Sequence, residues 1–255
     1  MYVILALVLS VLALTVHELA HGLAMNHCGV QIQAFGLGMP FPRWLTLSLS
    51  LGESRPELRL NPLVLGAYVI PTEAGAKRIF SLEFSRRAII CGSGPLASFA
   101  FALLLFVVVD VSRGYTSVLT LISGGVILLA CTLQVRFFTT VLPILGFLAL
   151  IYIVYSVATS PESESMGGPV LIWILIKQAA ENWEGAVRIA AVLSFLWGMT
   201  NLVPLPPLDG GGIVVAGLES RGYRRAAMWL RGVGLGVFVV TLIVVLQNDL
   251  DRLLF

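Results

Sequence analysis

Long runs of apolar residues dominate the chain, and short polar segments separate them. A helix that crosses a bilayer needs about 20 mostly apolar residues. Six runs are candidates, and they predict transmembrane helices over residues 2–25, 88–109, 117–135, 138–157, 186–205 and 232–247. Composition agrees with this interpretation, since 58% of the 255 residues are hydrophobic and only 12% are charged. The predicted fold class is an all-α polytopic membrane protein with about six transmembrane helices.

The segment between the first two predicted helices has a different period. Residues 45–51 alternate leucine with serine or threonine, which is typical of a strand with one apolar face. Residues 52–56 are typical of a turn, and residues 57–61 alternate again. The pattern predicts a β-hairpin with leucines on one face, inside a small membrane-associated β-hairpin region over residues 29–70. A sharper hypothesis is that an edge of this hairpin pairs with an extended peptide.

The positions of lysine and arginine predict the orientation of the chain, because these residues concentrate on the cytoplasmic side of membrane proteins. Two connections are basic and are predicted to be cytoplasmic, which puts both termini outside a cell (plasma) membrane. The first run lacks a basic start and continues into His17, so we interpret it as a retained helix rather than a signal peptide. The net charge of +2, without a basic tract, gives no indication of nucleic-acid binding. The basic residues of the two connections are Arg43, Arg55, Arg59, Lys77, Arg78, Arg86 and Arg87, then Arg221, Arg224, Arg225 and Arg231.

Three ionisable residues stand at the end of the first apolar run. His17 and His21 are four residues apart, so on a helix they share one face and can bind one metal ion together. Glu18 lies beside them and is placed to take a proton from a metal-bound water. Ionisable groups at membrane depth cost about 2.5–3.5 kcal/mol each and usually mark function. The alternative is a chance occurrence of the HExxH pattern at a helix end.

A catalytic zinc site needs a third protein ligand, and Asp209 is the best candidate. It follows an apolar helix that heads toward the predicted cytoplasmic side, and three prolines in residues 204–207 end that helix. Irregular backbone at membrane depth is tolerated where it is buried or lines a watery cavity. The alternative is a turn with Asp209 as a solvated cap. His27 is a rival ligand six residues after His21, although on an unbroken helix it would point away from the histidine face.

Four segments resemble, in order, motifs of the site-2 protease family of intramembrane zinc metalloproteases. Ser98 stands where the family motif has asparagine, and no PDZ or CBS domain is recognised, so the chain resembles a compact member. The segments are residues 17–21 (HExxH), 29–69 (the membrane-associated β-hairpin region), 94–99 (GPxxNF) and 201–211 (NxxPxPxLDGG).

The resemblance implies a single transmembrane metalloprotease domain over residues 1–255 that binds one zinc ion. His17, His21 and Asp209 would bind the ion, and Glu18 would be the general base. Asn201 would help to hold the substrate backbone. The expected reaction is hydrolysis of a peptide bond in a transmembrane segment near the cytoplasmic face. The expected partners are a transmembrane protein or peptide substrate and the lipid bilayer, and no particular regulatory membrane partner is indicated.

Two other functions use the same residues. A polytopic metal transporter would use the four ionisable side chains as a transit site, but these cluster toward one face of the membrane. An inactive relative of a protease would bind membrane helices without cutting them, but the presence of Glu18 argues against this hypothesis.

Overall fold

The computed structural model describes residues 1–38, 46–50, 56–62, 66–113 and 169–254, and it is mostly helical. Seven helices are numbered here in chain order. They are α1 (Tyr2–His27), α2 (Glu73–Ser81), α3 (Phe84–Ser112), α4 (Pro169–Ala179), α5 (Trp183–Asn201), α6 (Asp209–Ser220) and α7 (Arg224–Leu254).

Three of the described helices are long and apolar enough to cross a membrane. They are α1, α3 and the part Arg224–Asp251 of α7, with mean hydropathies of 2.3, 2.2 and 2.2. These helices correspond to the first, second and last predicted spans. The predicted total of six is not confirmed, because residues 117–135 and 138–157 lie outside the described residues. The helix predicted over 186–205 is α5, which is not among the three.

The helix boundaries differ from the predicted ones at polar ends. Helix α3 begins at Phe84 rather than 88, and α7 begins at Arg224 rather than 232. Part of the predicted basic connection is therefore the first two turns of α7. A run of apolar residues marks only the part of a helix that lies in the hydrocarbon core of the membrane. The charged turns that extend into water continue the helix with the same backbone hydrogen bonds.

Helices α1, α3 and α5 pack against one another and form the core. Small residues line their contacts, and Ala6, Ala190 and Ala191 are fully buried. Small side chains let helix backbones approach closely, which is how helices associate where the hydrophobic effect does not drive them together. Helix α4 packs on this core through Ile176, which lies in one cluster with Ala6.

A four-stranded sheet follows α1. Its strands are β1 (Ile32–Leu37), β2 (Leu47–Ser50), β3 (Glu57–Leu60) and β4 (Ala67–Pro71). They lie in the order β2-β3-β1-β4. The predicted hairpin is confirmed, since β2 and β3 are antiparallel and pair Leu47 with Leu60 and Leu49 with Leu58. Strand β1 pairs in parallel with β3 and antiparallel with β4. The sequence did not single out β1 and β4, whose short apolar runs lack a clear alternation.

The sheet approaches the helix core through β1 and β4 rather than through the hairpin. Both strands contact α1, and the ring of Phe35 in β1 lies against Gly22, one residue after His21. The hairpin of β2 and β3 lies on the other side of β1. The edge strand beside the HExxH pattern is therefore β4.

Candidate metal centre

Helices α1 and α3 run antiparallel at the centre of the candidate site. His17 and His21 lie on one face of α1, as their spacing predicts, and only 2% and 6% of their surfaces are exposed. Each imidazole meets a different turn of α3. The Nδ1 atom of His21 is 2.7 Å from the backbone oxygen of Ile90, and Nδ1 of His17 is 2.9 Å from Oγ of Ser98.

Asp209 reaches the same place from the loop between α5 and α6. The prolines stop α5, the chain turns over residues 202–208, and Asp209 begins α6. The glycines that follow allow a close return of the backbone. A side chain on Gly210 would come within 2.1 Å of the Leu202 oxygen, and one on Gly211 would come equally close to the nitrogen of Pro206. The Pro and Gly residues of this segment therefore position the carboxylate.

Three ligand atoms meet at nearly equal separations. The Nε2 atoms of His17 and His21 are 3.2 Å apart, and each lies 3.2 Å from Oδ2 of Asp209. A tetrahedral zinc site with bonds of about 2.0–2.1 Å has ligand atoms about 3.3 Å apart. The spacing of these atoms therefore fits one face of such a tetrahedron. No other group of three or more His, Cys, Asp or Glu side chains with this spacing occurs among the described residues.

The hydrogen bonds of the two imidazoles fit a cation at this point. A carbonyl oxygen only accepts, so Nδ1 of His21 carries the ring proton and its Nε2 atom presents a lone pair. When Nδ1 of His17 also carries the ring proton and donates it to Oγ of Ser98, two lone pairs and a carboxylate oxygen face one another. Such an arrangement is repulsive without a shared proton or a cation. Partners of this kind on the outer nitrogen are typical of histidines that bind metal ions.

Gly94 provides the space that the donor set needs. It lies on α3 between Ile90 and Ser98, on the same face of the helix. A side chain there would place its first carbon 2.2 Å from Nε2 of His21 and 2.6 Å from Nε2 of His17. Those distances fall within the coordination sphere of an ion. The glycine of the GPxxNF-like segment therefore leaves space for an ion between the two histidines and α3, and the side chain of an alanine would occupy that space.

Glu18 is half-buried beside the cluster and is not a member of it. Its carboxylate faces the backbone amide of Val69 in β4. Because α1 turns by about 100° per residue, Glu18 points toward the sheet while His17 points toward α3. The arrangement puts one carboxylate next to the donor set and next to an edge strand.

The two remaining predicted residues are His27 and Asn201. His27 is exposed at the end of α1 and does not belong to the group of donor atoms, so the rival ligand is not brought to the site. Asn201 ends α5, and its side-chain nitrogen donates to the Trp197 oxygen at 3.0 Å. The ring of Trp197 in turn packs edge-on against His17, with centroids 6.5 Å apart.

Sequence reasoning missed the roles of Ser98 and Ile90 as partners of the histidines. Ser98 differs from the asparagine of a family motif, but its residue type alone does not predict that it faces a histidine. A serine in an apolar helix is a weak signal, because its hydroxyl usually bonds back to its own helix. A backbone carbonyl such as that of Ile90 leaves no signal in the residue type.

The apolar helices and the buried histidine–histidine–aspartate cluster define an integral membrane protein with a candidate metal centre. A family model described as Peptidase family M50 matches residues 2–245. The chain therefore belongs to this family, the site-2 protease family, and the resemblance of its motifs is confirmed.

Curated relatives match over a shorter stretch. "Putative zinc metalloprotease" of Streptococcus pneumoniae serotype 4 is 36% identical over 102 residues, which are 37% of this chain and 24% of that protein. "Zinc metalloprotease RasP" of Oceanobacillus iheyensis is 36% identical over 95 residues, 35% of this chain and 22% of the relative. "Probable protease eep" of Enterococcus faecalis is 31% identical over 105 residues, 39% and 25% of the two chains. The chain thus spans about a quarter of the length of these relatives.

Proposed function

We propose that the protein is an intramembrane zinc metalloprotease that hydrolyses a peptide bond in transmembrane segments of membrane proteins. His17, His21 and Asp209 hold one zinc ion, and Glu18 is the general base. The observation that carries this proposal is the set of three equal 3.2 Å separations between the donor atoms, with Glu18 adjacent. Membership of a peptidase family and the names of the zinc metalloprotease relatives support it.

The donor set suits zinc and its chemistry. Two imidazole nitrogens and one carboxylate oxygen leave a fourth position free, as in catalytic rather than structural zinc sites. When bound, zinc supplies a Lewis acid that polarises the scissile carbonyl and lowers the pKa of a water molecule to about 7. Asp209 has 20% of its side chain exposed, compared with 2% for His17, which puts the open side of the site at the carboxylate.

Glu18 performs the proton transfers. Its carboxylate takes a proton from the attacking water and passes it to the nitrogen of the leaving amine as the peptide bond breaks. The Glu18 side chain is half-buried and lies one residue from a ligand, so it is near the reacting atoms without being a ligand itself.

A peptide in a membrane helix hides its carbonyl groups, so the substrate must unwind before it is cut. We expect the opened strand to lie along β4, because the backbone of Val69 borders Glu18. This revises the hypothesis that the predicted hairpin holds the substrate, since β2 and β3 lie on the far side of β1. Asn201, at the end of α5, is proposed to help hold the substrate backbone.

The charges of the described residues support an orientation with the site toward the cytoplasm. Helix α2 and the first turns of α3 and α7 carry seven basic residues, and they lie at the end of the bundle that holds the HExxH pattern. Positive residues concentrate on the cytoplasmic side. We propose a multi-pass protein of the cell membrane, with both termini outside and residues 1–255 forming a single metalloprotease domain.

The test uses the full chain in detergent micelles with Glu18→Gln as the variant. The substrates are single-span membrane peptides that carry a fluorophore and a quencher. Glutamine keeps the size of the side chain but cannot accept the proton, so zinc content should stay unchanged while cleavage slows by about 10²–10⁴-fold. His27→Ala is the matched control and should cleave normally. Cleavage by Glu18→Gln at the wild-type rate would refute the mechanism, and metal uptake into proteoliposomes without cleavage would favour a transporter.

A further inference from the structure

We propose that Ser98 is a positioning residue that stabilises the metal-binding tautomer of His17, because its hydroxyl oxygen can accept the ring proton that stays on Nδ1 when Nε2 is the ligand. The inference rests on the metal centre of the proposed function, and it concerns which nitrogen of His17 carries the ring proton. Ser98 lies on α3, 81 positions from His17, and its Oγ atom is 2.9 Å from Nδ1 of the imidazole.

Burial ties these two groups to each other, and the hydroxyl can accept the ring proton of Nδ1 or donate its own proton to that nitrogen. Ser98 is fully buried and His17 has 2% of its surface exposed, so neither group exchanges its partner for bulk water. A neutral imidazole has one ring proton, and the nitrogen that lacks it offers the lone pair. With the proton on Nδ1 and the Ser98 oxygen accepting it, the lone pair of Nε2 points toward His21 and Asp209.

In the other tautomer, the Nε2 atom of His17 would have no lone pair available for a metal ion. A proton on Nε2 of His17 would face Oδ2 of Asp209 at 3.2 Å and form a hydrogen bond inside the donor set. A metal ion would then have to displace that proton before binding. Without an acceptor at Ser98, the Nδ1 proton would be buried and unsatisfied, so the closed tautomer would be favoured.

The two histidines differ in the hydrogen-bond partner that stabilises the ring proton on Nδ1. His21 donates to the backbone oxygen of Ile90, which can only accept, so no side-chain substitution at position 90 removes its partner. His17 depends on a hydroxyl group, which a substitution can remove. Of these two hydrogen bonds, only the one to His17 can therefore be removed by a side-chain substitution that leaves the ligands unchanged.

Ser194 offers a matched control for this effect. Its hydroxyl donates to the backbone oxygen of Ser98 at 2.9 Å, and it is as buried as Ser98. Removing it deletes one buried hydroxyl from the contact between α5 and α3 but leaves Oγ of Ser98 in place. A packing effect would therefore appear in both serine-to-alanine variants, and a tautomer effect only in one.

The experiment measures zinc affinity of the full chain in micelles by competition with a chromophoric chelator. Loss of an outer partner of a metal-binding histidine typically weakens affinity by about 10–100-fold, and we expect this for Ser98→Ala. Ser98→Thr keeps a hydroxyl and should restore affinity. Ser98→Cys, with a side chain of similar size and a weak acceptor, should resemble the alanine variant and serves if the latter does not fold. Ser194→Ala should bind zinc like the wild type.

Nitrogen NMR of the metal-free chain provides a second measurement, which is simple because the sequence has three histidines. The fraction of chains with the ring proton of His17 on Nδ1 should be lower in Ser98→Ala than in the wild type, because only the wild type has an acceptor for that proton. Equal zinc affinity in Ser98→Ala and the wild type, or equal weakening in Ser194→Ala, would overturn the inference. A wild-type chain that binds no zinc would instead contradict the proposed function, while the spectra would still decide the role of Ser98.

Discussion

The Nε2 atom of His21 lies 3.2 Å from Oδ2 of Asp209, although 188 positions of sequence separate the two residues. His21 comes from the interior of a long apolar helix, while Asp209 is the first residue of a short helix after a proline-rich loop. This contact joins the first helix of the chain, α1, to α6.

Replacement of the carboxylate should remove the metal. Asp209→Asn keeps the shape of the side chain but loses its negative charge, so zinc should remain only in traces after purification, compared with about one ion per chain in the wild type. Elemental analysis of the purified protein measures this. His27→Ala is the control, because His27 is exposed and outside the cluster. Zinc lost from His27→Ala and kept by Asp209→Asn would reverse the assignment.

A methyl group at position 94 should block the centre without unfolding the chain. In Gly94→Ala the new carbon would lie 2.2 Å from Nε2 of His21, so zinc binding should be lost. Alanine favours a helix over glycine by about 0.5–1 kcal/mol, so helix formation itself should not suffer. Circular dichroism and elemental analysis measure the two properties. Gly232→Ala in α7, where nothing lies within 4 Å, is the control and should keep its zinc. Full zinc occupancy in Gly94→Ala would contradict this geometry.

A buried ion cluster should hold α3, α6 and α7 together. Glu219 lies 2.7 Å from a guanidinium nitrogen of Arg87 and 2.8 Å from one of Arg231. Glu219→Gln leaves the buried Arg87 without its charge partner, which should cost about 3 kcal/mol. The side chain of Arg231 is 41% exposed, so Arg231→Gln should cost at most about 1 kcal/mol.

Thermal unfolding of the metal-loaded variants in micelles measures the order of these effects. The Glu219 variant should have the lowest midpoint, and zinc content should stay normal in both, since neither residue belongs to the donor set. If Arg231→Gln lowered the unfolding midpoint as much as Glu219→Gln or more, the buried Arg87 would not depend on Glu219 as its charge partner.

The leucine face of the hairpin should contact the membrane surface. Leu49 is 43% exposed, and its partner in the register is Leu58, while Ser48 points to the opposite face. The test uses a chain without its native cysteines and an environment-sensitive dye attached to Leu49→Cys. When the protein is in vesicles, this dye should emit at a shorter wavelength than the same dye in water, because its surroundings are apolar. The same dye on Ser48→Cys should emit at the wavelength that it has in water. Equal emission from both sites would mean that the hairpin does not lie on the bilayer with this face.

Much of the architecture could be predicted because its causes are local. The apolar run of α1, the alternation of Leu47 and Leu49, and the prolines before Asp209 each restrict the backbone within a few residues. Helix ends were predicted less well, since charged turns such as those at the start of α7 continue a helix beyond its apolar part. The parallel pairing of β1 with β3 was not predicted, because the residue types of two strands that are distant in sequence do not indicate that they pair with each other.

The sequence by itself determined the chemical inventory: two histidines on one helix face, a glutamate beside them, and an aspartate held after a helix stop. Only the tertiary structure decided that the aspartate, rather than His27, meets the histidine pair. It also decided that β4 borders Glu18 and that a buried serine faces the outer nitrogen of His17. The physical reason is that helix period and proline geometry act over one or two turns of chain. The approach of α1, α3 and α6 depends on the packing of small residues and on distances that no local pattern encodes.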